Sequence, residues 1–298
     1  MTLRHPGDPS KANPAATSSQ RIESWRFAFL GCLVLCLGPV WGAAQGIPTI
    51  GAASGNMEPS LTTLKDLPVS DLLRYAPAPF EIRPPPTMPA VPARIVHNGP
   101  RHVRRVALTF DACASRQKSG YDERLIQVLV ATQTPATLFL GGKWMTEHPE
   151  ATRYLASRDQ FELGNHSFLH PHLVNLPDDR VRQELWWTQA VMYSLTGRQA
   201  QLLRAPFAEI DDRVAGLAAR MGLTAVQHDL ASGDPDAGAT ADRLAETVLR
   251  RARNGSIVVM HMNGRGWHTA QALPRIIGEL RRRGFELTTV GALIRSDP

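Results

Sequence analysis

From about His102 onward, short apolar runs alternate with amphipathic stretches. Val106-Ala107-Leu108-Thr109-Phe110 reads as a buried strand, as do Ala136-Thr137-Leu138-Phe139-Leu140 and the very apolar Ser256-Ile257-Val258-Val259-Met260. Between them, Leu125, Val128 and Leu129 fall on one face of a helix over Asp122 to Ala131. Pro149 suits the first turn of a helix reaching Ser157. Phe161 to Gly164 gives a third strand. Asp178-Asp179 are placed to cap a long helix to Leu195, which Gly197 ends. Strands over Gln201–Arg204 and Thr224–Gln227 flank a helix opened by Asp211-Asp212. Thr240 caps a helix to Ala252, and a helix from Thr269 to Arg283 around Pro274 precedes a last strand, Phe285–Thr288. Seven strands separated mostly by helices predict an α/β fold with a parallel sheet. Wholly apolar strands imply burial on both faces. Polar and ionisable residues collect at predicted strand ends, namely Asp111, His166, Arg204, Asp229 and His261. A parallel barrel gathers such ends at one mouth, so a distorted (β/α) barrel of about seven strands is expected.

Composition divides the 298 residues into three parts. Arg21 and Arg26 precede an apolar run from Phe27 to Leu37, followed by Gly38-Pro39 and the small residues Gly42-Ala43-Ala44. That order describes a secretory signal peptide over residues 1–44, too short in its apolar core for a membrane span of about 20 residues. Cys32 and Cys36 would leave with it, so Cys113 is the one remaining thiol and no intrachain disulfide is expected. Residues 45–100 hold 11 of the 23 prolines, from Pro48 to Pro100, and read as an extended, disordered tether. Residues 101–298 are long enough for one buried core. Removing residues 1–44 leaves 29 Lys and Arg against 25 Asp and Glu. This mild positive balance suits an anionic envelope polymer. With no basic stripe interleaved with aromatics, nucleic acid is not an expected partner.

The chemistry centres on Gly164-Asn165-His166-Ser167-Phe168-Leu169-His170-Pro171, directly after the third strand. A helical turn there would project His166 and His170 from one face, a common way to offer two nitrogens to one metal ion. Other polar groups follow strands in order: Asp111, then Arg204 before Ala205-Pro206-Phe207, Asp234 in Gly233-Asp234-Pro235, and His261. Such a set is suited to metal-assisted acid–base hydrolysis of an amide or ester. A divalent metal polarises the carbonyl, a carboxylate takes a proton from water, a guanidinium keeps that carboxylate ionised, and a cationic His protonates the leaving amine.

Together these motifs resemble the polysaccharide deacetylase family, the NodB-homology domain of carbohydrate esterase family 4, over Arg104 to Leu293. The resemblance implies that Asp111 is the general base and that His166 and His170 are metal ligands. It further implies that Arg204 holds the base, that Asp234 orients and tunes the catalytic His, and that His261 is the general acid. It implies a divalent metal, zinc first, and an N-acetylated glycan such as peptidoglycan or a chitin-like polymer. The expected protein is a monomer, secreted or held in the periplasm or cell envelope.

Two positions depart from the family pattern. Ala112 stands where its second Asp would supply a carboxylate to the metal, leaving Asp111, Cys113 or a water to complete the site. A small buried thiol at a strand end is the commoner use of a residue such as Cys113. Pro235 replaces the Trp that follows the tuning acid, which bears on one groove wall. Ala112 also motivates a second reading, a glycan-binding protein on the same fold with impaired catalysis. His172, His228 and His268 are expected to line a groove or face solvent rather than bind metal.

Overall fold

The computed structural model describes residues 80–115 and 119–295. The expected signal peptide, Cys32, Cys36 and the tether up to residue 79 lie outside the described residues. Nine strands form one parallel sheet. They are β1 (Ile95–Val96), β2 (Arg105–Ala112), β3 (Ala136–Leu140), β4 (Phe161–Asn165), β5 (Leu202–Leu203), β6 (Thr224–Val226), β7 (Leu230–Ala231), β8 (Ser256–His261) and β9 (Glu286–Thr288). The order is β1-β6-β5-β4-β3-β2-β8-β7, with β9 beside the start of β2. All seven expected strands are present. The two additions, β1 and β7, are two residues long, too short to leave a periodic signal. The sheet is a curled, incomplete barrel: among the described residues no pairing closes β7 onto β1.

Strand parity divides the interior. Side chains alternate faces along a strand, so Val106, Leu108, Phe110 and Ala112 join the large core beneath the helices. Ala107, Thr109 and Asp111 point the other way, into the barrel. The barrel floor is apolar, with Ala107, Phe139, Leu202, Val226 and Ile257 closed below by Val290 and Leu293. Those last two belong to a C-terminal helix, α8 (Val290–Ile294), which the sequence pattern did not reveal. It is anchored by backbone N–H groups: that of Val290 donates to Thr137 Oγ1 at 2.8 Å and that of Gly291 to Glu162 Oε2 at 2.9 Å.

The remaining helices are α1 (Glu123–Ala131), α2 (Gly142–Glu147), α3 (Pro149–Ala156), α4 (Asp178–Thr196), α5 (Asp212–Arg220), α6 (Ala241–Arg251) and α7 (Thr269–Arg282). Asp122, Asp211 and Thr240 cap α1, α5 and α6 through side-chain acceptors. The long helix departs from expectation at its start. Its N-cap is Pro177, and Asp178 and Asp179 occupy the first turn, where negative charge suits the helix dipole. Gly197 ends it in the left-handed conformation, φ 70°.

The proline-rich stretch differs from its expected form. From residue 80 it packs against the folded unit, so the tether boundary at residue 100 falls too late. The Arg83 N–H donates to Ser194 Oγ at 2.7 Å, Gln199 Nε2 to the Pro86 carbonyl at 2.8 Å, and the Val91 N–H to the Ala219 carbonyl at 2.9 Å. Met88 lies so close to Gly222 that a Cβ there would sit 2.6 Å from its own Cβ. Prolines keep this segment extended without internal hydrogen bonds, which leaves its carbonyls free for neighbours.

Leu138 on β3 is fully buried in the large core. Leu138→Ala is expected to lower the unfolding free energy by about 2–5 kcal/mol, read from urea denaturation at constant slope.

Candidate active site

Parallel pairing brings the distant site residues to one end of the barrel. Asp111 on β2 lies directly opposite His261 on β8. β3 and β4 follow on the other side of β2, with Leu140 opposite Asn165, so His166 begins the loop that leaves β4. Asn165 in turn faces Leu203 on β5, which Arg204 immediately follows. Asp111, His166, Arg204 and His261 turn into the cleft or barrel, whereas Leu140 and Leu203 face the core beneath the helices. A cleft of about 310 Å³ is lined by Asp111, Cys113, His166, His170, Asp234 and His261, among others.

Arg204 reaches from β5 through the barrel to β2. One terminal nitrogen donates to Asp111 Oδ1 at 2.9 Å and to Thr109 Oγ1 at 2.6 Å; the other donates to the Gln227 carbonyl at 3.2 Å. Its guanidinium lies 4.1 Å from the centre of the Phe139 ring on β3. Gly164 on the neighbouring strand permits this, since a Cβ there would fall 2.4 Å from Phe139. Burial would raise the Asp111 carboxyl, but the charges of Arg204, His166 and His261, with the Arg204 hydrogen bond, bring it below its ordinary value. These contacts favour the ionised form of Asp111.

On the neighbouring strand, His261 Nδ1–H donates to Asp234 Oδ1 at 2.9 Å, leaving Nε2 to the cleft. The other Asp234 oxygen accepts from the His261 backbone at 2.6 Å and from Thr269 Oγ1 at 2.8 Å. Burial alone would lower the imidazole. Hydrogen bonds to Asp234 and Cys113, and the charges of Asp234 and Asp111, push it up to about 10. His261 is thus a cation at neutral pH with a proton to give.

The two candidate metal ligands sit differently from the expected helical turn. Residues 166–170 form an irregular loop in which Ser167 and His170 have φ of 62° and 61°. The imidazoles converge nonetheless, with ring centres 5.0 Å apart. Three contacts from the chain fix this shape. Asn165 Oδ1 accepts the Ser167 N–H at 2.9 Å, and its Nδ2 donates to the Leu185 carbonyl at 2.9 Å. Glu184, fully buried on α4, accepts the N–H groups of Phe168 and Leu169, both at 2.8 Å, while Arg180 pairs with its other oxygen at 2.8 Å. Burial holds the Glu184 carboxyl above its ordinary value despite Arg180 and these N–H donors. The His170 ring packs edge-on against Phe207, which stacks on His172 at 3.9 Å.

His166 Nδ1–H donates to the Arg204 carbonyl at 2.8 Å, which turns Nε2 to the cleft; burial would lower this imidazole, but Asp111, Cys113 and the Arg204 carbonyl hold it above its ordinary value. Nε2 faces Cys113 Sγ at 3.4 Å and Asp111 Oδ2 at 3.9 Å. One ligand atom each from Cys113, His166 and His170 lies within 4.8 Å of the others. Two imidazoles and a thiol are chemically fit for a borderline-soft divalent ion. Burial would raise the Cys113 thiol, but the charge of His166 and hydrogen bonds from His166, His170 and His261 bring it well below the usual thiol range.

Asp229 departs from its expected place. It accepts from the Ile257 N–H and pairs with Arg101, both at 2.8 Å, at the start of β8 and the opposite end of the barrel. The apolar pattern could not show this, because a polar residue beside a strand marks either end equally. His228 lines the cleft, and His268 caps α7 without a side-chain bond. Sequence reasoning missed Glu184, whose only signal was an acid on the apolar side of a long helix.

Comparison with known proteins agrees with the geometry. Residues 98–226 match the sequence profile of the polysaccharide deacetylase family. The chain is 26% identical over 202 residues to a peptidoglycan-N-acetylglucosamine deacetylase of Bacillus cereus, covering 67% of this chain and 71% of that one. It is 29% identical over 200 residues to a chitooligosaccharide deacetylase of Bradyrhizobium sp., covering 62% and 88%. Among solved structures, it is similar to a mutant, with restored enzymatic activity, of a carbohydrate esterase family 4 pseudoenzyme of Bacillus anthracis. That likeness has a TM-score of 0.62 and 25% identity, over 68% of this chain and 72% of the other.

Glu184→Ala is expected to destabilise the protein by about 3–5 kcal/mol, because it leaves Arg180 and two buried N–H groups without their acceptor. Glu184→Gln, which keeps one acceptor, is expected to lose less. Calorimetric melting of both variants checks the order.

Proposed function

The chain belongs to the polysaccharide deacetylase family, and from that premise we propose that it is an exported, monomeric, metal-assisted hydrolase. Its reaction removes acetyl groups from N-acetylated sugars of peptidoglycan or a chitin-like glycan. The observation that carries this reading is the register of β2 and β8, which sets Asp111 beside His261 on adjacent strands at the mouth of one cleft. A carboxylate and an imidazolium side by side, near two converging imidazoles, suit amide hydrolysis.

His166 and His170 are the residues that would hold the metal. When bound there, a divalent cation lowers the pKa of a water and polarises the acetyl carbonyl. Asp111 takes the water's proton as oxygen adds to the acetyl carbon. Arg204 keeps Asp111 ionised and aimed through that step. His261 gives its Nε2 proton to the sugar nitrogen as the C–N bond breaks, so acetate and a free amine leave. Asp234 holds Nδ1 and so directs the mobile proton to the cleft side. Positioned acid and base groups each contribute roughly 10²- to 10⁴-fold.

A glycan-binding protein with impaired catalysis is the second reading. Ala112, in place of a carboxylate, and the likeness to a pseudoenzyme structure favour it. Four interlocked residues weigh against it: Asp111 with Arg204 and Asp234 with His261 form two buried ion pairs that simple sugar binding does not need.

The test is acetate release from N-acetylglucosamine oligomers and from peptidoglycan, after chelation and with Zn²⁺ restored. Turnover is expected to vanish on chelation and to return with the metal. Asp111→Asn and His261→Ala are each expected to lower kcat by about 10²- to 10⁴-fold with the melting temperature largely kept. Saturable sugar binding without acetate release under any divalent metal would establish the second reading. Asp234→Asn is expected to lower kcat while leaving KM near its original value, since Asp234 acts through His261 and not on the sugar; steady-state kinetics separates the two constants.

A further inference from the structure

We propose that Cys113 is the third protein ligand of the metal centre, so that this chain replaces a carboxylate–bis-histidine site with a thiolate–bis-histidine site. The inference rests on the metal-dependent reading above and names a residue that reading leaves out. It begins with strand parity. Ala112 is the last residue of β2, its side chain fully buried in the core under the helices. Residues 111 and 113 share the opposite face. Cys113 therefore emerges over the barrel mouth on the same side as Asp111, and it lines the same cleft.

The distances suit a shared ion. Cys113 Sγ is 3.4 Å from His166 Nε2, and the three ligand atoms lie within 4.8 Å of one another. Tetrahedral zinc, with bonds of roughly 2.3 Å to sulfur and 2.0 Å to nitrogen, separates such atoms by about 3.5 Å. A second observation points independently to a ligand set. The His166 Nδ1–H is committed to the Arg204 carbonyl, the outer hydrogen bond that aims a metal-binding imidazole and turns its other nitrogen to the cleft. The Cys113 backbone is itself fixed: its carbonyl accepts from Asn263 Nδ2 at 2.9 Å and from Ser119 Oγ at 3.2 Å. A thiol placed for packing alone has no reason to sit among imidazole nitrogens.

This assignment changes the expected metal. A thiolate favours zinc and cobalt over the hard, oxygen-seeking magnesium, calcium and manganese. It also explains how loss of the family carboxylate at Ala112 is compatible with a working centre.

The experiment uses the full-length chain stripped with a chelator and reloaded with Co²⁺ or Zn²⁺. One Co²⁺ per chain is expected, with a thiolate-to-cobalt charge-transfer band in the near ultraviolet. Cys113→Ser is expected to lose that band and to bind Zn²⁺ about 100-fold more weakly or worse, beyond the loss that removing an outer-shell partner causes. Cys113→Asp is expected to recover Zn²⁺ binding without the band. A wild-type cobalt form lacking the band, or a Cys113→Ser variant with unchanged Zn²⁺ affinity, would overturn the assignment. If the Cys113 variants do not fold, the spectrum of a Cys32→Ser, Cys36→Ser chain, whose one thiol is Cys113, decides. A thiolate band without acetate release keeps Cys113 as a ligand and removes the deacetylase reading, whereas acetate release from a bandless cobalt form does the reverse.

Discussion

The ion pair of Arg204 and Asp111 is the constraint on which the rest of the site depends. Two charges inside a barrel are expensive to bury, and only near-complete hydrogen bonding offsets that cost. Here the guanidinium spends its terminal nitrogens on Asp111, Thr109 and the Gln227 carbonyl, and lays its face on Phe139. It starts on the loop after β5 and ends on β2, spanning β4 and β3 between them. The pair therefore ties four strands to one geometry. The Arg204 carbonyl also aims His166. One residue thus positions both the base and a candidate metal ligand.

The two site carboxylates show how partner choice divides labour between like residues. Asp111 pairs with a guanidinium that keeps its proton, so the carboxylate stays free to accept one. Asp234 pairs with an imidazole, and the same attraction raises the partner instead, to about 10. Acid and base chemistry at one pH follows from that difference. The parallel register then sets the two pairs side by side at one end of the barrel.

The ligand loop shows a different kind of support. It has no regular hydrogen bonding of its own, and two of its non-glycine residues adopt left-handed backbone. Phe207 and Ala208, whose loop faces it, do the same, with φ of 60° and 57°. Such conformations cost about 1–3 kcal/mol each and persist only where the surroundings enforce them. Glu184 and Asn165 supply that enforcement from beneath, and the His172–Phe207 stack supplies it from the side.

The amino-acid sequence by itself determined the parallel α/β scaffold, because apolar period and capping residues such as Asp122, Asp211 and Thr240 are local signals. It also determined which residue types could do the chemistry, since Asp111, His166, His170, Arg204, Asp234 and His261 stand beside strands in a fixed order. Tertiary structure alone decided which end of a strand each polar residue occupies, separating Asp229 from the others. It alone showed the strap from residue 80, the short strands β1 and β7, and the buried Glu184, all stabilised by contacts between residues far apart in sequence. It also brought the Cys113 thiol within 4.8 Å of the His166 and His170 nitrogens. The reason is common to all of these: periodicity records which face a side chain takes, while distance to a partner exists only once the strands have paired.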